Sequence, residues 1–287
     1  MIKLKPLALL VPLAAISSLA WGRGPSSSAS PSSSAPSLGT AASFAVLAGT
    51  AVTCTDATIT GNVGVSPGTA ITQTNCPVTG TINAGNAVAA QAHSDFLSAY
   101  DAFKALTCDR TLTTLDSLTL SPGVYCFDAA ATSTGGVLTL DGPSNGIWIF
   151  KIGTLGTGAL TGTNFKVVTK AGTPPPCSSV FWWVSQAVTM TDSQFVGTIL
   201  AGAAVTLTRG TFNGDAFAKT AATITGTAVT GCALGGGGGS SCEDKCRCKC
   251  KDKKHAHGDE CDGDDDDGHH HDGDHRDGHH HDQHEED

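Results

Sequence analysis

The carboxyl-terminal end of the chain is rich in the residue types that bind transition metals. Residues 242–287 contain five cysteines, three of them in a Cys-x-Cys-x-Cys run, and histidine clusters that alternate with aspartates. Closely spaced thiolates suit zinc or copper(I), and histidine/aspartate runs suit zinc, nickel or copper(II). The alternative is a solvated, charged tail that aids solubility or attaches to a surface. The candidate metal ligands are Cys242, Cys246, Cys248, Cys250, Cys261, His269, His270, His271, His279, His280 and His281.

Residues 1–234 offer little that could catalyse a reaction. A polysaccharide lyase or hydrolase needs clustered carboxylates with a basic partner in a groove. This part of the chain has nine aspartates, no glutamate and no local acid pair, so we predict that the protein is not an enzyme. Its single histidine, His93, has no second ligand nearby in sequence, and we expect it to be a surface or packing residue. The near-neutral charge of this part provides no basic patch for nucleic acid.

Threonines instead recur at a fixed spacing in three copies of a 17-residue unit, which start at Gln186, Ala203 and Thr220. Each copy has threonine at its fourth and sixth positions and apolar residues at its third and fifth. Alternation of this kind indicates a strand with one face inward, and fixed-period repetition indicates a solenoid whose coils bury their apolar faces by stacking. The sequence therefore predicts a surface of outward-facing threonine and alanine.

Other segments fit the same repeat. Residues 50–66 match it in register, so we expect this first coil to stack beside the last ones. Residues 136–152 and 153–169 are predicted to keep the 17-residue step. We expect the three tryptophans of the apolar strands, Trp148, Trp182 and Trp183, to pack in the core or under a helix rather than to form a carbohydrate platform.

Residues 83–107 break the repeat and predict one amphipathic helix that lies along the solenoid. Val88, Ala92, Phe96 and other apolar residues follow helical spacing, and Asn83 or Asn86 can cap the first turn. Six cysteines lie in residues 38–234, and sequence alone does not resolve their fifteen possible pairings. Because Cys76 and Cys108 flank the helix, a disulfide between them is one reasonable expectation.

The amino-terminal residues predict export. Residues 1–20 have a short basic start, an apolar run and a small-residue cleavage site, as in a secretory signal peptide. Residues 21–37 are a Ser/Pro-rich linker, residues 38–234 the folded body, 235–241 a Gly/Ser linker and 242–287 the Cys/His/Asp-rich tail. We therefore expect a secreted protein with no membrane span after processing, and a monomer.

Several blocks resemble the secreted microbial ice-binding proteins of the DUF3494 type. They include LGTAASFAVLAGTAVTC at residues 38–54, LSPGVYCF at 120–127, GIWIFKIG at 146–153 and SSVFWWVSQAVT at 178–189. The resemblance covers residues 38–234 and keeps the blocks in order. It implies a mainly β fold: a right-handed, discontinuous β-helix of triangular section, with the first coil inserted among later ones and one long α-helix packed alongside.

The resemblance also implies that the protein binds ice through a flat β-face, and so produces thermal hysteresis and inhibits ice recrystallisation without a cofactor. A secreted structural or adhesive solenoid with no ice activity is the alternative. The family surface carries loosely repeated Thr-Ala/Gly-x-Thr/Asn. Combined with the repeat, that motif predicts the site residues Thr50, Ala51, Thr53, Thr55, Thr154, Ala187, Thr189, Thr191, Ala204, Thr206, Thr208, Thr220, Ala221, Thr223 and Thr225.

Overall fold

The computed structural model of this protein describes residues 34–235. The predicted signal segment 1–20, most of the linker 21–37 and the candidate metal ligands of residues 242–287 lie outside the described residues. Within residues 34–235 the chain forms twenty short strands and one long helix. Alternating apolar and threonine residues explain the strands, because β-branched side chains pack well on a pleated surface.

The elements follow one another in three groups. The amino-terminal strands are Phe44–Ala48 (β1), Ala51–Thr55 (β2), Thr58–Thr60 (β3), Asn62–Val65 (β4), Ala70–Thr74 (β5) and Ile82–Ala84 (β6). The helix Ala87–Ala105 (α1) precedes Arg110–Thr111 (β7), Leu118–Leu120 (β8), Gly123–Phe127 (β9), Ala131–Thr134 (β10), Val137–Leu140 (β11), Trp148–Ile152 (β12), Leu160–Thr163 (β13) and Lys166–Thr169 (β14). The last strands are Val180–Val184 (β15), Val188–Val196 (β16), Thr198–Ala201 (β17), Val205–Asn213 (β18), Ala216–Ala218 (β19) and Ala222–Thr230 (β20). Short helical turns occupy Gly39–Ser43, Cys177–Ser179 and Cys232–Gly235 (α2).

The strands stack in parallel on three faces of a solenoid. The helix-covered face has the order β6-β4-β1-β19-β17-β15-β12-β9-β7. The threonine face has the order β5-β2-β20-β18-β16-β13-β10, and the third face β3-β20-β18-β16-β14-β11-β8. Strands β16, β18 and β20 bend across a corner, so that each contributes its first half to the threonine face and its second half to the third face. The predicted β-solenoid is confirmed, and its right-handed winding stays a prediction.

The stacking order departs from the chain order, as the sequence predicted. Strand β1 lies between β4 and β19, and β2 lies between β5 and β20. The first coil therefore contacts the last coil of the described chain, although the helix and all the middle coils separate them in sequence. The middle coils wind towards it from the opposite end of the solenoid.

The 17-residue step is confirmed from β16 to β20 and is wrong for the middle coils. Val188 lies opposite Val205 and Val205 opposite Ala222, which is the predicted register. Thr161, however, lies opposite Thr189, so the coil between them is longer than seventeen residues. In this coil the extra residues include the loop 170–176 after β14. The loop 153–159 lengthens the preceding coil, in which Thr132 lies opposite Thr161. Insertions at such corners leave the pairing of the strands unchanged. Sequence spacing alone did not show which residues were loop.

Helix α1 covers one face along the stack. Asn86 caps it by accepting the Ala89 N–H at 2.9 Å, one of the two caps predicted. Ala89, not the predicted Val88, is buried at the first turn, since Val88 is exposed. Nineteen residues at about 1.5 Å each give a length of about 28 Å, which spans roughly six strand spacings. The helix thus carries the chain from the β6 end of the stack to the β7 end.

The apolar core has two parts that are separated by the helix-covered face. Inside the solenoid, Trp182 stacks on Phe150 with ring centroids 4.2 Å apart and also packs on Phe195. Under the helix, Phe96, Tyr100 and Phe103 contact side chains of that face, including Trp183. Trp148 is buried as well, and the predicted packing role of the three tryptophans is confirmed.

The expected Cys76–Cys108 disulfide is wrong. The bonds join Cys54 to Cys76, Cys108 to Cys126, and Cys177 to Cys232, with Cα–Cα distances of 5.9, 5.8 and 5.6 Å. The physical reason is the helix itself: its length carries its two ends to opposite ends of the stack. Cysteines that flank it in sequence are therefore far apart in space, and each pairs with a neighbouring coil or connection.

Candidate functional site

The threonine face carries two uninterrupted rows of threonine, one from each outward position of its strands. Seven coils contribute, and each threonine lies opposite the threonines of the coils above and below it. The first row is Thr72, Thr53, Thr223, Thr206, Thr189, Thr161 and Thr132. The second row is Thr74, Thr55, Thr225, Thr208, Thr191, Thr163 and Thr134.

A third row, of alanine, borders the first threonine row on its amino-terminal side. Ala51 pairs with Ala70, and backbone hydrogen bonds from the following strand residues to Ala187, Ala204 and Ala221 carry the row along the stack. The whole row is Ala70, Ala51, Ala221, Ala204, Ala187, Ala159 and Ala130. Each coil therefore presents the pattern Ala-x-Thr-x-Thr. The side chains of this pattern are uncharged and short.

The spacing of the rows follows from β-sheet geometry. Adjacent coils lie about 4.8 Å apart, and outward residues two apart on one strand lie about 6.7 Å apart. Seven coils give six intervals, so each threonine row is about 29 Å long. In the inner strands the inward residues between them are buried, for example Val205 and Leu207 in β18 and Val188 and Met190 in β16. A packed core directly beneath the sheet holds the threonines in a fixed, flat array.

One corner of the threonine face is built in the same way in every coil. The residue after each second threonine has a positive φ, between 49° and 68°. Asparagine, aspartate and glycine adopt this left-handed conformation most easily, and six of the seven corner residues are of these types. The corner residues are Asn75, Asp56, Gly226, Arg209, Asp192, Asn164 and Gly135. The identical turn keeps the strands of successive coils parallel and in register.

Charges lie at this corner rather than on the rows. Arg209 forms a two-point ion pair with Asp192, with Nε–Oδ1 and Nη2–Oδ2 distances of 2.6 and 2.7 Å. Hydrogen bonds from Arg209 lower the pKa of the Asp192 carboxyl. On the two coils at the β5 end, Asn75 donates to the Asp56 carboxylate at 2.9 Å. These contacts hold the charged side chains at the corner, and the Ala-x-Thr-x-Thr pattern itself is neutral.

Most of the predicted site residues meet on this face. Thr53, Thr55, Thr189, Thr191, Thr206, Thr208, Thr223 and Thr225 stand in the threonine rows, and Ala51, Ala187, Ala204 and Ala221 in the alanine row. Thr50 and Thr220 lie one residue before that alanine row, in the bend that leads onto the face.

Thr154 is not on the threonine face, so that prediction is wrong. It lies in the loop after β12, where its hydroxyl approaches the Phe127 carbonyl oxygen at 3.3 Å and the Asp128 carboxylate at 3.1 Å. The error comes from the assumed 17-residue step, because the long loop moves the face residues further along the chain. Thr161 and Thr163, which were not among the predicted residues, are the threonines that this coil contributes to the two rows.

Threonines of two end coils, which were not among the predicted site residues, also belong to the rows. Thr132 and Thr134 at one end, and Thr72 and Thr74 at the other, complete the rows. A shorter signal was present, because all seven coils have threonines two residues apart after an apolar or small residue. The four-letter family motif alone does not separate the faces: it matches residues 69–72, which include Thr72, and also residues 227–230 on the third face, where Thr227 is buried.

Within residues 34–235, no group of three or more His, Cys, Asp or Glu side chains is placed to hold a metal ion. Over the same range no helix is both long and apolar enough to cross a membrane. The single histidine there, His93, packs edge-on against Phe96 with ring centroids 5.7 Å apart, and burial lowers its pKa. Its expected packing role is confirmed.

Comparison with proteins of known sequence and structure agrees with the geometry of the solenoid. An ice-binding protein of Nostoc sp. (strain HG1) is 41% identical over 125 residues, which are 42% of this chain and 44% of that protein. The matched region thus spans less than half the length of that relative.

Two crystal structures share the fold over most of their length. An ice-binding protein from the Antarctic ascomycete Antarctomyces psychrotrophicus is 30% identical with a TM-score of 0.62, and the match covers 69% of this chain and 98% of that one. An ice-binding protein from an Antarctic Biological Consortium is 32% identical with a TM-score of 0.63, covering 69% and 91%. The sequence profile of the Ice-binding-like family matches residues 46–230, nearly the whole solenoid. This chain therefore belongs to the Ice-binding-like family.

Proposed function

We propose that the protein binds ice through the threonine face. The observation that carries the proposal is the unbroken Ala-x-Thr-x-Thr pattern over seven coils, with charges confined to the corner. The relatives described above are ice-binding proteins, and they share this fold. The proposed surface comprises the predicted residues of the two threonine rows and the alanine row, together with Thr72, Thr74, Thr132, Thr134, Thr161 and Thr163.

The physical basis is the rigidity of the array. Ice offers a repeating lattice of hydrogen-bonding water, and each threonine contact with it is weak. Threonine has a β-branched side chain with restricted χ1, so the hydroxyl and methyl positions are set before binding. This preorganisation lowers the entropic cost of association, and many weak contacts act together across the plane. Alanine keeps the surface flat beside the hydroxyl rows.

The third face is a poorer candidate, although it also carries threonines. Its central row includes Lys166, Gln194 and Val137, which differ in length and charge from coil to coil. The helix-covered face is excluded as a contact surface because α1 packs over it. The threonine face is the side on which every coil repeats the same outward residues.

We propose that the protein acts without catalysis and without a cofactor for ice binding, that it is secreted after removal of residues 1–20, and that it works as a monomer. A structural or adhesive solenoid without ice activity is the alternative function.

One experiment separates the two functions. Thermal hysteresis and ice recrystallisation inhibition are measured on the purified full chain. Ice binding predicts a freezing-point gap and small, persistent crystals at micromolar protein, whereas a structural solenoid behaves like an inert protein of the same size. If a folded, disulfide-bonded sample shows neither thermal hysteresis nor inhibition of ice recrystallisation, the proposal is wrong.

The candidate metal ligands of residues 242–287 support a second, independent proposal. The Cys-x-Cys-x-Cys run and the His/Asp clusters are suited to zinc, copper or nickel. Titration of the full chain with each metal by calorimetry tests this, with a chain that ends at residue 241 as control. Equal heats for the two chains would rule the site out. Removal of the tail is expected to leave thermal hysteresis largely intact, because the threonine face does not include it.

A further inference from the structure

The end coil that contains β5 is the least supported part of the threonine face. Within residues 34–235, β5 has one neighbour on this face, the strand β2. It nevertheless supplies Thr72 and Thr74, the last members of both threonine rows. An edge strand with free backbone groups on one side is prone to local opening.

The inward side of β5 provides little hydrophobic anchoring. In the inner strand β18, Val205 and Leu207 are both fully buried. In β5 the corresponding residues are Ile71, which is half-buried, and Gln73, which is exposed. Hydrophobic stabilisation is proportional to the apolar area removed from water, so this coil gains much less than the β18 coil.

A disulfide lies where that core contact is missing. Cys54 is the inward residue of β2 opposite Gln73, and it bonds to Cys76, which lies just after β5. Both cysteines are buried, and both belong to the core cluster. The Gln73 side-chain amide donates to the Cys76 carbonyl oxygen at 2.9 Å, which ties the end of β5 to the cysteine of the disulfide.

We infer that the Cys54–Cys76 disulfide is a positioning device for the proposed ice surface. It holds the end coil on the stack so that Thr72 and Thr74 stay in register with Thr53 and Thr55. This inference rests on the proposed ice-binding function. Without the bond, β5 opens locally, and the rigid array shortens from seven coils to six while the rest of the solenoid stays folded.

The test replaces both cysteines together, so that neither is left as an unpaired thiol. In Cys54→Val/Cys76→Val, thermal hysteresis is expected to fall to the level of Thr72→Tyr/Thr74→Tyr, which blocks the same coil directly. Amide hydrogen exchange in residues 70–75 is expected to quicken, while residues 205–213 keep their protection. If two valines overpack the site, Cys54→Ala/Cys76→Ala gives the same comparison.

The matched control is the disulfide at the other end of the stack. Cys126 lies in β9 on the helix-covered face, so Cys108→Val/Cys126→Val is expected to retain wild-type hysteresis. Equal losses in both disulfide variants would assign the effect to general stability and overturn the inference. Unchanged hysteresis, or unchanged exchange in residues 70–75, for the Cys54/Cys76 variant would overturn it too. If the wild type itself shows no hysteresis, the ice function fails, and the exchange data still decide whether the bond holds β5.

Discussion

Thr53 and Thr223 lie side by side on adjacent parallel strands, although they come from opposite ends of the folded chain. This pair joins the amino-terminal coils to the carboxyl-terminal ones within one continuous threonine face. Without the contact between β2 and β20 the rows would be two shorter arrays. The discontinuous stacking order is therefore part of the proposed binding surface.

A bulky or charged residue at the centre of the threonine face is expected to lower activity without unfolding the protein. Thr206→Tyr or Ala204→Arg breaks the flat array, so ice contacts on both sides of the substitution are lost. Thermal hysteresis is measured beside the melting temperature. The matched control is Thr211→Tyr, an exposed threonine of the same strand β18 on the third face. Equal losses from Thr206→Tyr and Thr211→Tyr would move the site off the threonine face.

Thr161 and Thr154 lie on different parts of the solenoid, so substitutions at these two positions are expected to differ in their effect on ice binding. Thr161→Arg is expected to reduce thermal hysteresis because Thr161 stands in a threonine row. Thr154→Arg is expected to leave it near the wild-type value, since Thr154 lies in a corner loop. A larger loss of hysteresis from Thr154→Arg than from Thr161→Arg would contradict the proposed surface.

Asp215 is expected to make stability decrease as pH rises from about 4 to about 7. The side chain is buried, and burial raises its pKa to about 7 from the ordinary value of 3.8. Well below pH 3.8 the carboxyl is protonated in both the folded and the unfolded states. Between these values the unfolded chain loses its proton first, so the folded state loses up to about 4 kcal/mol relative to it, and above pH 7 the loss is complete.

Urea unfolding at several pH values checks this prediction. Asp215→Asn keeps an acceptor for the Cys232 N–H and a partner for the Thr198 hydroxyl, but it does not ionise. We expect the variant to gain stability over the wild type as pH rises through this window, and the two to converge at low pH. Parallel stability curves for the two proteins would show that Asp215 does not titrate there.

Lys151 is expected to stabilise the carboxyl-terminal end of α1. This buried lysine of β12 donates to the carbonyl oxygens of Lys104 and Leu106, at 2.8 and 2.5 Å. A cation at this end also interacts favourably with the helix dipole. Lys151→Met leaves the two acceptors without their donor, and we expect a loss of about 2 kcal/mol in the free energy of unfolding. The loss is measured in urea, and hysteresis near 0 °C is expected to remain, because the threonine face does not contact this residue.

Local spacing in the sequence was enough to predict the kind of fold. Alternating apolar residues and threonines, repeated from Gln186 onward, require strands that bury one side, and such units bury it only by stacking. The same repeat at residues 50–66 correctly predicted that the first coil lies beside the last. Helix α1 was also predictable, except that Ala89 is buried at its first turn where Val88 was predicted.

Only the tertiary structure decided which residues of successive coils lie opposite one another, because the loops between the strands differ in length. A corner loop adds residues without moving the strands. Thr154 therefore lies in a loop, and Thr161 is the residue that lies on the threonine face. The disulfides depend in the same way on distances in space, and the length of α1 separates Cys76 from Cys108. The sequence by itself determined a stacked β-solenoid with outward threonines. The number of coils in the array and the pairing at its ends came from long-range contacts, which local periodicity does not encode.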